Sequence, residues 1–260
     1  MNQLFTAVPI ENKTTEKTAG VSRRWGFWAT LGFSVVIAAL YTVAQGLAIG
    51  VMVGIQSRIG SLANKEALIE SVTSNGLYLS VGVIFSAWVG SLVIAATVLL
   101  RKDISLKEYF AIKNLPLKTY VRWLAIGLLF LIGWQGVSMV WEPPDSEWMA
   151  KSYQTAKYLP LFWFAMVIAA PVIEELFFRG FLFEGLRDSW MGSIGAILVT
   201  SIAWAAIHIQ YEIFQMVIIG TLGILLGIAK VKTRSLYIPI AMHSFNNFIA
   251  TVATSLSLGS

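Results

Sequence analysis

"LPLFWFAMVIAAPVIEELFFRGFLFEGL", residues 159–186, decides what kind of chain this is. A helix needs about 20 apolar residues to cross roughly 30 Å of hydrocarbon, and this stretch is long enough to do so. Yet Glu174, Glu175 and Arg179 lie in its middle. A charge inside a membrane helix costs at least ~2.5–3.5 kcal/mol on insertion scales, so such residues face a protein interior or a water-filled cavity and mark function.

Composition agrees with a membrane chain. Of 260 residues, 57% are hydrophobic and 13% charged, with a mean hydropathy of +0.71; a soluble domain has about 45–50% apolar residues. Working outward from 159–186, further hydrophobic stretches fall at 25–57, 77–100, 123–141, 192–209, 212–229 and 236–256. The expected fold is therefore all-α, a polytopic bundle of about seven transmembrane helices over 25–260, behind a polar tail over 1–24. The first stretch is too long for the apolar core of a cleavable signal peptide. Residues 101–122 mix apolar and basic positions, and they read either as an interfacial helix over 104–118 or as a basic loop. No internal repeat and no soluble domain is visible. With no cysteine in the chain, disulfides, a thiol nucleophile and thiolate metal ligands are excluded.

The basic residues orient the bundle. A net charge of +5 and a pI near 9.4 would suit nucleic acid, but the Lys and Arg residues lie between the spans, so no nucleic-acid partner is expected. Of 19 such residues, 15 fall in alternate segments (the tail, 101–122, Arg179, Arg187, Lys230, Lys232 and Arg234), and the other four are Arg58, Lys65, Lys151 and Lys157. Setting aside Arg179, which belongs to a span, fourteen against four places the amino terminus in the cytoplasm by the positive-inside rule. The expected location is a multi-pass protein of the cell membrane if the source is bacterial. Trp25, Trp28, Trp123 and Trp141 near span ends agree with that arrangement.

The remaining polar residues within spans concentrate on three segments. The chain's two histidines, His208 and His243, fall in 192–209 and 236–256. Glu175 and Arg179 are four apart and stack on one helix face, where an ion pair holds the carboxylate ionised. Glu174 points about 100° away and is left free for chemistry. His243 and Asn247, and likewise Trp204 and His208, share a face at four-residue spacing. Glu174 and His208 lie about 22–26 Å from the turn near Trp190 at ~1.5 Å per residue, so they can be level. Pro171, missing one backbone donor, is expected to kink the helix and admit water. Gly220, Gly223 and Gly227 read as close helix packing, Asn246 as packing, and Glu184 with Arg187 as residues of the inner interface.

"EELFFR" (Glu174, Glu175, Arg179), "WAAIH" (Trp204 to His208) and "HSFNN" (His243 to Asn247) together resemble the three signature motifs of the CPBP family of intramembrane proteases, in order, over about 159–256. That family includes CAAX-prenyl endopeptidases and Abi-type bacterial proteins linked to bacteriocin processing and self-immunity. Here Trp204 stands where the family usually has Phe, and the family's extra C-terminal span is expected to be absent. The resemblance implies an endopeptidase in which Glu174 and His208 activate a water, a desolvated carboxylate being the better base. It implies that His243 and Asn247 donate to the developing oxyanion, with Glu175, Arg179 and Trp204 in support. The implied substrate is a peptide or protein, lipid-modified or membrane-embedded, met within the membrane lipid.

No cofactor is required by that reading. The alternative is zinc held by Glu174, His208 and His243, a ligand set with an open fourth position. Asp103, Asp145 and Asp188 all lie outside the spans, and no HExxH helix exists, so aspartyl and HExxH-type zinc chemistries fit poorly. A non-catalytic immunity or scaffold protein and a proton-coupled transporter are the remaining function classes.

Overall fold

The computed structural model describes residues 24–58, 72–141 and 147–259. The tail read over 1–24 lies outside the described residues except for Arg24, as do Lys65 and Asp145. Among the described residues every regular element is helical: α1 Phe27–Arg58, α2 Gly76–Leu99, α3 Leu106–Tyr109, α4 Leu117–Trp141, α5 Glu147–Gln154, α6 Leu159–Arg187, α7 Gly192–Ala206, α8 Ile213–Thr233 and α9 Tyr237–Gly259. The chain is a polytopic helical bundle.

Five of these helices (α1, α2, α4, α6 and α8) are long and apolar enough to cross a membrane. The count of seven spans needs two amendments. Helix α7 has 15 residues, and it stops at Ala206 rather than continuing to 209. Helix α9 is long enough at 23 residues and uncharged, but its Ser, Thr, Asn and His residues keep its hydropathy below that of a free-standing span. Both are shielded by neighbours, since α7 packs on α8 and α9 packs on α4, α6 and α8.

An interfacial helix over 104–118 does not form. Ser105 caps a single four-residue helix, accepting from the Glu108 N–H, and Ala111 then adopts φ 53°, a left-handed conformation that breaks an α-helix. Chain without regular structure follows up to α4. Its carbonyls are taken by the bundle: Lys230 Nζ donates to Phe110 O at 2.7 Å and Ser235 Oγ to Lys113 O at 2.6 Å.

The segments assigned to one side by charge do meet at one end. Arg24 reaches the Tyr109 carbonyl at 3.3 Å and Asp188 at 3.1 Å, while Trp25 Nε1 donates to Thr97 O at 3.2 Å. At the opposite end Trp148 Nε1 donates to Thr73 O at 2.9 Å, Gly76 N–H to Thr155 Oγ1 at 2.8 Å, and Tyr153 and Ser255 hydroxyls meet at 3.0 Å. Glu184 is fully buried at the first end, with Arg187 2.8 Å, Lys230 3.0 Å and Arg24 3.5 Å from its carboxylate. A Cβ at Gly185 would collide with Thr30, so this is where α1 seats against α6.

Helix α6 changes register twice. Two π-helical segments, Ala165–Ala169 and Leu176–Leu182, bracket a short α-helical stretch, Ala170–Glu175. Ala170 N–H bonds to Ala165 O and Phe183 N–H to Phe178 O, each five residues back. Pro171 stands one residue beyond the first π segment, so the disturbance anticipated at the proline takes the form of a widened turn. Such π-bulges occur frequently at functional sites.

Candidate active site

The glutamates separate as their spacing requires. Glu175 and Arg179, both fully buried, form an ion pair at 2.8 Å. The guanidinium also donates to the Gly223 carbonyl at 3.0 Å and lies 4.7 Å from the Trp204 ring centroid. It fits only because position 223 has no side chain, since a Cβ there would come within 3.0 Å of Nη2 and of Ser201. Gly223 and Gly227 thus admit α7 and the arginine rather than a ligand, and Gly220 lies against Ala205.

Glu174 keeps 21% of its side chain accessible, and it lines a cavity of about 520 Å³. Trp204 Nε1 donates to Glu174 Oε2 at 2.6 Å. The same tryptophan's carbonyl lies 2.7 Å from His208 Nδ1. A carbonyl only accepts, so Nδ1 carries the hydrogen and Nε2 of the neutral ring holds the lone pair. One residue therefore orients both partners, which is a larger part than the supporting one expected of Trp204. His208 itself is not in a helix. It sits in the turn after α7, where its N–H bonds to Ala205 O at 3.0 Å. It stays near Trp204 because that turn continues the helical direction, with the two rings 5.4 Å apart.

His243 and Asn247 both project from α9 toward α6 but meet different partners. His243 Nδ1 lies 3.0 Å from Glu175 Oε1, and its Nε2 lies 3.9 Å from Glu174 Oε2. The imidazole is held between the two carboxylates and packs on Trp204 at 4.9 Å. Asn247 lines the cavity beside Glu174 and His208, and its Nδ2 donates to Met166 O at 2.9 Å. Asn246, read as packing, donates to Asn247 Oδ1 at 3.1 Å and so orients that amide.

Tyr211 was missed in the sequence. Its ring stacks on His208 at 6.1 Å and 22°, it lines the cavity, and burial together with the Glu174 charge raises its hydroxyl pKa. Its spacing from His208, three residues across a turn, carries no sequence signal by itself. Tyr41 on α1 likewise enters the cavity, brought from 133 residues away by helix packing. Most of the other walls are apolar side chains of α1, α2 and α6, among them Ile37, Ile49, Val83, Ile94 and Phe177, with Thr42 and Gln45 of α1 beside them. Thr73, Trp148, Gln210 and Tyr211 lie where the cavity approaches the end opposite the Arg24–Glu184 cluster.

The zinc alternative needs Glu174, His208 and His243 to converge. Among the described residues no three His, Cys, Asp or Glu side chains gather as a metal-binding group.

Residues 156–249 match the model of a family described as type II CAAX prenyl endopeptidase Rce1-like. The chain is also 26% identical over 199 residues to the membrane-embedded CAAX protease MroQ of Staphylococcus aureus (strain USA300), an alignment covering 68% of this chain and 76% of that protein. No solved structure matches. The three motifs, the helical bundle that carries them and these two similarities all support a likeness to the CPBP family of intramembrane proteases.

Proposed function

We propose that this protein is a glutamate-dependent intramembrane endopeptidase in which Glu174 takes a proton from a water as that water attacks the scissile carbonyl. His208 Nε2 helps to hold the water, and His243, with both ring nitrogens carrying hydrogen and Nδ1–H held by Glu175, donates its Nε2–H to the oxyanion. Collapse of the tetrahedral intermediate breaks the C–N bond, and Glu174 returns its proton to the leaving amine. The observation that carries this reading is the joint anchoring of Glu174 and His208 by Trp204 at the wall of one cavity. The pre-aimed donors cost no reorganisation during the reaction. The apolar walls suit a membrane-embedded or lipid-modified peptide, in keeping with a relative named as a CAAX protease.

Turnover of a quenched peptide library by the purified protein tests the activity. After exhaustive chelation, with elemental analysis to verify removal, the metal-free protein is expected to keep its rate. Activity that tracks bound zinc one to one would replace this mechanism with the metal-dependent one.

The charge distribution supports an amino terminus in the cytoplasm, which would put the Thr73, Trp148 and Tyr211 end of the cavity on the outer side. A protein without cysteine permits a direct test. Gln154→Cys at the exposed end of α5 is expected to react with an impermeant thiol reagent in intact cells, and Trp190→Cys, 83% exposed at the other end, to stay protected. The reverse labelling would turn the molecule over and open the cavity to the cytoplasm.

A further inference from the structure

Counting backbone donors along α6 isolates one acceptor. In an α-helix the Met166 carbonyl would receive the N–H of residue 170, but Ala170 N–H is bonded to Ala165 O, five back. In a π-helix it would receive the N–H of residue 171, but that residue is Pro171, which has none. The widened turn and the proline together leave Met166 O without a donor from its own helix. Within a membrane such a group must be satisfied by the protein or face water. Asn247 Nδ2 supplies the bond at 2.9 Å from α9, and Asn246 Nδ2, donating to Asn247 Oδ1 at 3.1 Å, turns the amide so that its nitrogen faces the carbonyl.

The consequence for the site follows from register. Met166 lies two turns before Glu174, and the π segment adds a residue to the turn between the apolar start of α6 and the glutamates. Whether Glu174 faces the cavity depends on that added residue being kept. We propose that Asn247 is a positioning residue that pins the π-turn at Ala165–Ala169 through the Met166 carbonyl, and thereby holds Glu174 toward the cavity. The inference rests on the reading of Glu174 as the reacting carboxylate. It assigns Asn247 to the helix that bears the base rather than to the oxyanion.

The two assignments differ in how they depend on Pro171. Asn247→Ala and Pro171→Ala are made singly and together, and kcat, KM and thermal unfolding are measured for all four proteins. Alanine at 171 restores an N–H that can reach Met166 O. Asn247→Ala in the native background is expected to lower kcat about 100-fold with KM little changed, a loss of the size a roughly 1 Å misplacement of a reacting group can cause. In the Pro171→Ala background the same substitution is expected to cost less than about threefold, and its effect on the unfolding midpoint is expected to shrink in parallel. An equal loss of kcat in both backgrounds identifies a direct oxyanion donor and overturns the proposal. A coupled change in the unfolding midpoint with kcat untouched overturns it too, because the bond would then stabilise without positioning. If the native protein turns over no peptide, the proposed function fails, and uncoupled unfolding midpoints would separately refute the Asn247 to Met166 link. Should Pro171→Ala fail to fold, Pro171→Leu restores the same N–H with a side chain suited to the apolar wall.

Discussion

Replacing Glu174 with glutamine is expected to lower the peptidase rate by about 10²–10⁴-fold, the range general-base catalysis supplies, while the protein remains folded and extractable. The substitution is nearly isosteric, and the amide oxygen still accepts from Trp204 Nε1, which now bonds Glu174 at 2.6 Å. Only the ability to take a proton is removed. Because Glu174 makes no ion pair with Arg179 and keeps an accessible edge on the cavity, no buried countercharge is stranded by the change. Unfolding midpoints should therefore agree between the variant and the native protein. A variant that keeps more than a few per cent of the native rate would remove Glu174 from the mechanism.

Glu175→Ala and Arg179→Ala are expected to do the opposite and destabilise the fold. Both side chains are fully buried, 2.8 Å apart, and each has a further partner, His243 for the carboxylate and the Gly223 carbonyl for the guanidinium. Removing one member of a buried ion pair strands the other at a cost of about 3–5 kcal/mol, read as a lowered unfolding midpoint in detergent. Activity should fall as well, because Trp204 packs on the guanidinium and His243 is aimed by Glu175. Replacing both, as Glu175→Gln with Arg179→Met, should recover part of the stability that either alanine loses, since no lone charge remains. Native-like unfolding in both single variants would mean that the pair does not hold the bundle together.

Much of this could be read from residue order because it depends only on near neighbours in the chain. Hydrophobic length marks where helices cross, so α1, α2, α4, α6 and α8 appear where the long apolar stretches lie. Alternation of crossings brings the basic segments to one end, where Arg24, Lys230 and the chain around Phe110 meet. The pair Glu175–Arg179 follows from four-residue spacing, and so does the separate direction of Glu174. Hydropathy served less well for α7 and α9. Their ability to sit in the bundle comes from neighbouring helices, which a sliding window along one helix does not contain.

Partner choice across helices lay beyond that local reading. Spacing put His243 and Asn247 on one face, and only the bundle brings His243 to Glu175 and Asn247 to Met166. Four-residue stacking assumes an unbroken α-helix. Two π-turns in α6 break that assumption and change which carbonyls are left wanting a donor. Tyr211 and Tyr41 reach the cavity, and Glu184 is buried against cations from two other segments, only because helices distant in the chain pack together. The membrane's demand for apolar surface is written along each helix separately. Its demand that every buried polar group find a partner is met between helices, and that pairing exists only once the helices have packed.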